Sequence, residues 1–579
     1  MNRLKSVYEK FRYPIVLVYF LIMTILMTYP LILHLGRSIL GGLGDGVYFV
    51  WLIRWYQGVI FEGWGAPFFN AQMNYPQGWN LSTTDTALAT ALPGVPFSLL
   101  FGPIAGYNIA MGLTFILSGF FMYLWVRRQT ASDSAGLIAG TLFAFLPYRM
   151  AHFMAGHLNL SGTAWFPLYF LAIQEIFTPK EKTRWWPPLL GGVALGLIGL
   201  SSMYYLYFTL LVSVLFLAGY LLFSKRGFLR NKNFWQELIL LPVFSAPFLF
   251  VALRPFLQLA GSGGLADRPL EYANRYSASP TDFFTISADH FALGQWISSI
   301  LDRSLWMESS LYIGLVTLLL IAFYWYSRKG DRQLSFAKTA LFIMLVCFIL
   351  ALGPSLHWNN QQLLIPNAAG EALPITLPAT WLFTYLPFFS KMRAVMRIGL
   401  FVLLFGSALA GLGSAKLLNR WNGWRRILVL SVILLLILLD FYPGPYTQSV
   451  TPLQARAVDT WLAEQPGDGA VVQMPFGSST DQIQLYYTLT HQKPFTGGFF
   501  NANQPPQFQY LQGILARFPD EKSVQTLVEY QVEYVLLEPD DYADYSSVEA
   551  AIIELGLERL TEIDGVVVFH LEPDNGTQP

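Results

Sequence analysis

The feature that most constrains this chain is a series of apolar runs too long and too numerous for the core of a water-soluble domain. A helix crosses the hydrocarbon of a bilayer with about 20 apolar residues. Runs suited to this lie near 14–36, 104–126, 134–149, 160–177, 187–202, 203–223, 236–257, 309–327, 337–354, 397–417 and 426–443. Several are short, as helices flanking a cavity often are. The runs predict a polytopic α-helical membrane protein with about eleven transmembrane helices. Composition agrees: of 579 residues 54% are hydrophobic and 12% charged, where soluble domains carry about a quarter charged. Met1–Arg12 is basic and leads into the first run without a small-residue cleavage site, which predicts a retained helix and not a signal peptide. Segment 86–102 holds Pro93 and Pro96. It is expected to be re-entrant or interfacial, because a crossing there would place Arg127 and Arg128 outside.

Charge placement orients the chain. With the N-terminus in the cytoplasm, the alternate connections carry Arg127 and Arg128, then Lys180, Lys182 and Arg184, then Lys225, Arg226, Arg230 and Lys232. The next two carry Arg328, Lys329, Arg332 and Lys338, then Lys416, Arg420, Arg425 and Arg426. Basic loops stay on the cytoplasmic side, so the expected protein is a multi-pass cell-membrane protein with a cytoplasmic N-terminus and an extracytoplasmic C-terminus. The opposite connections are longer, near 37–103, 150–159, around 203, 258–308, 355–396 and from 444 onward. Long ordered loops are commonly functional, so function is expected to face outward. A net charge of zero provides no field for nucleic acid. Cys347 is the sole cysteine, which excludes an intrachain disulfide, a cysteine-rich metal site and a redox pair; it reads as a small buried hydrophobe.

After the transmembrane domain, 1–443, the pattern becomes that of a soluble domain. β-rich runs at 469–474, 532–537 and 565–571 lie among helical stretches near 452–464, 521–530 and 546–556. They predict an extracytoplasmic α/β domain at 444–579. Its loop Lys493–Asn501 is aromatic and Gly-rich and suits either a cavity wall or an ordinary surface loop. No nucleophile–base–acid set stands out in this domain, so binding or shaping a substrate is its expected work.

The first outer loop contains Gly44-Asp45-Gly46, followed by a predicted helix with Trp51 and Trp55 on one face. That aromatic face suits lipid headgroups. Asp45 has two readings. It can cap the helix, or, as a carboxylate beside a span, it can be functional, its flanking glycines permitting close approach of a substrate. As a general base it would take the proton of an acceptor hydroxyl while a glycosyl phosphate bond breaks. Outside the cytoplasm, where nucleotide sugars are absent, the sugar donor must arrive on a lipid phosphate.

Four motifs carry a resemblance: Gly44-Asp45-Gly46; Asn74-Tyr75-Pro76-Gln77-Gly78; Pro147-Tyr148-Arg149-Met150-Ala151-His152 continuing to Gly156-His157-Leu158-Asn159; and Lys391-Met392-Arg393 with Arg397. Together with the topology they resemble the GT-C superfamily of polyprenyl-phosphate-sugar glycosyltransferases, and more particularly bacterial GT-C-like membrane proteins. The resemblance implies that Asp45 corresponds to the first-loop catalytic acid of an inverting glycosyltransferase. The donor would be polyprenyl-phosphate-linked and the acceptor a glycan, lipid or protein. No DxD or ExD pair follows Asp45, which leaves dependence on a divalent cation, Mg2+ or Mn2+, open; no other cofactor is implied.

Further candidates for substrate contact lie on the same side. Tyr148, Arg149, His152, His157 and Asn159 cluster where a span emerges, suited to sugar hydroxyls and phosphate or to headgroup anchoring. The two histidines are five apart, not the i, i+4 spacing of a helical metal pair. Arg149, Arg254, Arg268, Arg275, Arg393 and Arg397 are candidate cations for a leaving phosphate. Each singly is also explained as a headgroup anchor. Glu271, Asp282, Asp289, His290 and Glu308 are candidate second acids or ligands in a loop that reads as a lid. Tyr204 in a tight outer turn could stack on a sugar. Asp85 and Tyr75 belong to the polar stretch of the first loop, where Asp85 is either a second acid or a helix cap.

Three classes of function compete: the transferase, a catalytically silent scaffold in cell-surface polysaccharide assembly, and a lipid-linked glycan transporter. A transporter would show paired broken spans in two similar halves, and no internal repeat is visible.

Overall fold

Helix occupies every one of the apolar runs. The computed structural model describes residues 2–178, 181–224, 226–261, 267–368, 370–446, 449–477, 481–500 and 504–572; Met1, Lys180, Lys225 and Asn501, named above, lie outside them. The helices are Asn2–Met27, Pro103–Thr130, Asp133–Ala144 followed by Pro147–Met154, Trp165–Phe177, Trp186–Ser201, Met203–Phe223, Lys232–Gly261, Leu315–Tyr326, Leu334–Ala351, Leu400–Leu418 and Trp424–Phe441. Among the described residues six helices are long and apolar enough to cross a membrane, or seven if the pair Asp133–Ala144 and Pro147–Met154, bent by 40°, is one span. Trp165–Phe177, Trp186–Ser201 and Leu315–Tyr326 are apolar but shorter. Trp424–Phe441 carries Arg425, Arg426 and Asp440 at its ends. The difference from eleven lies in these three short helices, the bent pair and the charged ends of Trp424–Phe441.

Packing separates lipid-facing from central helices. Ile239, Val243 and Phe250 on one helix, and Ile427, Val432 and Leu436 on another, are exposed apolar side chains with no stable place in water. Hydrocarbon is their natural solvent, and the chain is a multi-pass membrane protein. The helix Leu400–Leu418 is the opposite, buried nearly throughout. Small residues bring helices close: a Cβ on Gly192 would meet Leu241 O at 2.7 Å, and one on Gly196 would meet Phe248 Cβ at 2.4 Å.

Leu88–Phe101 is a broken apolar helix about 21 Å long at the usual rise, short of the ~30 Å hydrocarbon core. The exposed Leu99, Leu100 and Phe101 suit an interfacial seat.

The C-terminal segment builds a four-stranded sheet in the order Glu558–Ile563, Val566–His570, Val532–Leu537, Ala470–Met474, with only the last pair parallel. Val472, Leu511, Leu527, Val535, Ile552 and Phe569 form its core. The three β-rich runs are strands at nearly the expected bounds. Strand Glu558–Ile563 and helices Asp481–His491 and Pro506–Leu515 are additional.

This segment is bonded to the long loop at 37–103. Ser38–Leu40 pairs antiparallel with Val450–Pro452. Phe495 N–H donates to Gln72 O at 2.7 Å, Asn74 N–H to Gly497 O at 2.9 Å, and the Thr84 hydroxyl to Phe499 O at 3.0 Å. The described part of the Lys493 loop is thus sealed against the loop at 37–103. The expectation that Trp51 and Trp55 face headgroups is corrected here: they are 2% and 5% exposed. They stack on each other at 6.0 Å, and Trp51 stacks on Trp79 at 5.6 Å. Tyr48, on the same helix, meets Phe499 at 5.5 Å. The C-terminal loop covers the face that would otherwise reach lipid.

Candidate functional site

Asp45 is the first residue of the helix Asp45–Phe61, and Gly44 is its N-cap, without a side-chain capping bond. The carboxylate is therefore not used as the cap. It lies beside the turn that follows Pro147–Met154, because Gly156 has a positive φ of 75° and no Cβ, and its backbone presses on Gly46. This close approach of two backbones is what the glycine after Asp45 provides.

From Asp45 a continuous polar chain runs inward. His157 Nε2 stands 3.3 Å from Asp45 Oδ2. The Nδ1 atoms of His157 and His152 are 2.7 Å apart, and His152 Nε2 lies 3.7 Å from Glu308 Oε2. Arg397 Nε is 3.1 and 3.0 Å from the two Glu308 oxygens, and its Nη2 donates to Oε1. Exposure falls inward: the side chains of Asp45 and His157 are 31% and 16% exposed, that of His152 only 1%. Asp45 is the open end.

The elements explain the assembly. His152 ends the short helix Pro147–Met154, His157 follows its Gly turn, Glu308 sits on the turn Trp306–Ser309, and Arg397 precedes the central helix. Tyr148 packs edge-on against His152 with ring centres 4.3 Å apart. Burial alone would raise the Glu308 carboxyl, but Arg397, by its charge and its hydrogen bonds, holds it down to about 2.

Asp85 belongs to the same neighbourhood. Its Oδ2 accepts from Asn159 Nδ2 at 2.7 Å and its backbone oxygen from the Tyr48 hydroxyl at 2.8 Å. Burial is the largest influence on its carboxyl and pushes it up to about 6; the charges of Arg397, Asp45 and His157 also reach it. The cap of the following helix is Ala87, so Asp85 is not one.

Around Arg397 lies an aromatic and cationic wall. Its guanidinium stands 5.0 Å from the Tyr204 ring, and the Tyr204 hydroxyl accepts from Arg393 N–H at 3.0 Å. The Arg393 guanidinium is 4.8 Å, and that of Arg275 5.8 Å, from the Tyr276 ring. Among the described residues neither Arg275 nor Arg393 has a carboxylate partner, so both charges are available to an anion.

Other candidates stand apart. Arg149 is 2% exposed, bonds to Ala144 O and Thr114, and lies 4.2 Å over Phe115; it braces the helix packing. The Tyr75 hydroxyl bonds Gln531 of the C-terminal segment at 2.7 Å. Arg254 and Glu271 are exposed, and Arg268 donates to the Lys391 carbonyl at 3.3 Å. Of the candidate acids of the 258–308 loop, Asp282 pairs with Arg303 at 2.7 Å and His290 lies 2.9 Å from Leu439 O. Asp289 is partly buried, which pushes its carboxyl up to about 6. Glu308 alone among them joins the chain from Asp45, and only its contacts single it out.

A divalent cation does not suit this donor set. Among the described residues no three His, Cys, Asp or Glu side chains gather in a ligand geometry, and Glu308 is already committed to Arg397.

Residues 60–442 match the family profile described as Domain of unknown function (DUF6311). No curated protein matches the chain. Several solved structures do. The arabinofuranosyltransferase AftD from Mycobacteria is 14% identical at a TM-score of 0.56, over 97% of this chain and 42% of that one. ArnT from Cupriavidus metallidurans, bound to undecaprenyl phosphate, is 11% identical at a TM-score of 0.50, over 97% of this chain and 99% of that one. The archaeal oligosaccharyltransferase AglB from Archaeoglobus fulgidus, in complex with an inhibitory peptide and a dolichol-phosphate, is 13% identical at a TM-score of 0.49, over 99% and 75%. The chain spans less than half the length of AftD. It has the fold of the GT-C membrane glycosyltransferases.

Proposed function

The chain belongs to the DUF6311 family, and from that membership and the GT-C fold we propose that it transfers a sugar from a polyprenyl-phosphate-linked donor to an extracytoplasmic acceptor, with Asp45 as general base. One observation carries the reading: Asp45, partly open to solvent at the start of its helix, is backed by a polar chain ending in a buried ion pair. A polar chain of that depth is expensive to bury without a role. The acceptor hydroxyl gives its proton to Asp45 as its oxygen attacks the anomeric carbon and the bond to phosphate breaks. Charge then grows on the phosphate oxygens, where Arg393 and Arg275 are free to receive it. The undecaprenyl phosphate held by ArnT is the model for the lipid half of the donor.

In this reading the apolar helices make eleven crossings, the shorter ones supported by their neighbours. Transmembrane residues 1–443 are followed by an extracytoplasmic domain at 444–579, above the same face as Asp45. Tyr148, His152, His157, Asn159, Tyr204 and Asp85 complete the site. Asp45→Asn, assayed with radiolabelled polyprenyl-phosphate sugars in membranes holding equal amounts of protein, is the test. Transfer is expected to fall by roughly 10²-fold or more; undiminished transfer would remove Asp45 as base.

A further inference from the structure

We propose that Asp45 does not handle its proton alone: Asp45 and His157 share and release one proton as a unit, and His157 is held in its accepting tautomer, through His152, by the Glu308–Arg397 pair. The kinetic consequence rests on the transferase reading above. The proton arrangement rests only on the geometry.

A neutral imidazole has one N–H and one bare nitrogen. The chain from Glu308 to Asp45 has three contacts at which a ring nitrogen either carries or lacks a hydrogen: Glu308 to His152 Nε2, His152 Nδ1 to His157 Nδ1, and His157 Nε2 to Asp45. Two neutral rings supply two protons. The third is either an added proton or an empty gap.

The inner end decides which gap that is. Glu308 is an anion fixed by Arg397, and a bare ring nitrogen pointing at it would be repelled, so His152 carries its hydrogen on Nε2. At 3.7 Å this contact orients by charge and is too long for a hydrogen bond. Burial opposes a second proton on His152, so its Nδ1 is bare. His157 must then fill the 2.7 Å gap with its own Nδ1–H. What remains, facing Asp45, is the lone pair of His157 Nε2.

A lone pair and a carboxylate 3.3 Å apart repel unless a proton lies between them. With it, the pair is an aspartate beside an imidazolium. Without it, a proton taken up by Asp45 forms an O–H···N bond to His157. The acceptor's O–H bond breaks and an Asp45 O–H forms. That proton passes to His157 Nε2 and on to water at the exposed Asp45 end, restoring the carboxylate. The other groups acting on the unit are Asp85, which adds negative charge, Glu308 and Arg397 across His152, and the phenols of Tyr48 and Tyr107, whose environments sense Asp45.

The test needs no reaction. Full-length protein carrying 15N-histidine, in lipid nanodiscs, would be titrated from about pH 5 to 9, the range around a histidine's own ionisation. His152 and His157 are assigned by His152→Gln and His157→Gln. Expected are an imidazolium at His157 that becomes, on deprotonation, the tautomer with its hydrogen on Nδ1, a neutral His152 with its hydrogen on Nε2, and loss of the His157 imidazolium in Asp45→Asn. A neutral His157 with its hydrogen on Nε2, or a His157 titration unaltered by Asp45→Asn, would overturn the proposal. If the histidine variants fold poorly, carbonyl-labelled glycine or alanine assigns the two in wild type and Asp45→Asn, since Gly156-His157 and Ala151-His152 are the sole Gly-His and Ala-His pairs. In the transfer assay, kcat of wild type should rise with pH in step with the loss of the His157 imidazolium signal. His157→Gln should lose that rise and roughly 10²-fold in kcat, whereas an unchanged profile would exclude the kinetic role. Absence of transfer in wild type would fell the transferase reading and leave the spectra to decide the proton arrangement.

Discussion

A Cβ atom on Gly156 would lie 2.3 Å from the backbone nitrogen of Gly46, so the turn carrying His157 and the helix beginning at Asp45 touch backbone to backbone. Gly156→Ala must both strain a φ of 75° and force the two apart. The expected loss is about 2 kcal/mol or more, read as a lowered unfolding temperature in detergent, together with loss of transfer. Gly42→Ala, where a Cβ meets nothing within 4 Å, is the matched control and should be close to neutral.

The buried pair Glu308–Arg397 gives a second prediction. Removing one partner strands a charge, so Arg397→Gln should destabilise by about 3–5 kcal/mol. Adding Glu308→Gln should recover part of that loss, a coupling visible in a double-mutant cycle. Glu308 is held down to about 2 from 4.5 against the effect of burial. A folded-state value below the unfolded one contributes stability that is complete above about pH 4.5 and is lost as pH falls toward 2, about 3 kcal/mol in all. Acid unfolding of wild type should be steeper over that window than that of the double variant.

The positions of the helices were legible because hydrocarbon demands long apolar runs, and every run is helical. The site was legible only as a roster. Asp45, His157 and Arg397 stood out by type and by side of the membrane, but their connection depends on contacts between segments far apart in sequence. In sequence Glu308 is no different from Asp282 or Asp289; its bond to Arg397 sets it apart. Arg149 lies among outward residues in sequence, yet its helix turns it under Phe115. Trp51 and Trp55 have the spacing of headgroup anchors, and nothing local reveals that Trp79 and Phe499 would cover that face. Strand Glu558–Ile563 is a polar, largely exposed edge, without the apolar run that marks its neighbours.

Asp85 should make stability fall with rising pH. Burial raises its carboxyl to about 6 from 3.8, so the folded state takes up its proton more readily than the unfolded one. That contribution is complete below about pH 3.8 and is lost as pH rises through 6, at most about 3 kcal/mol in all. A pH titration of wild-type stability alone does not isolate it, since Asp282 and Asp289 are also raised to about 6; the Asp85→Asn difference does. The variant keeps an oxygen for Asn159 and should be more stable than wild type at pH 7.5 and equal to it near pH 4, measured by thermal unfolding across that range.

Membrane orientation can be read with single cysteines, because Cys347 is fully buried and leaves the wild-type background silent to a bulky thiol reagent. Lys329, in the connection between Leu315–Tyr326 and Leu334–Ala351, and Ser546, on the C-terminal helix Tyr545–Glu554, are both exposed. If basic connections stay inside, Ser546→Cys reacts with a membrane-impermeant maleimide on intact cells, or on spheroplasts where an outer envelope blocks access. Lys329→Cys reacts only after the membrane is opened. Labelling of both from outside would place an even number of crossings between them and separate the C-terminal domain from the odd count. Labelling of Lys329→Cys alone would invert the protein, put Asp45 in the cytoplasm, and remove the reason for a lipid-linked donor.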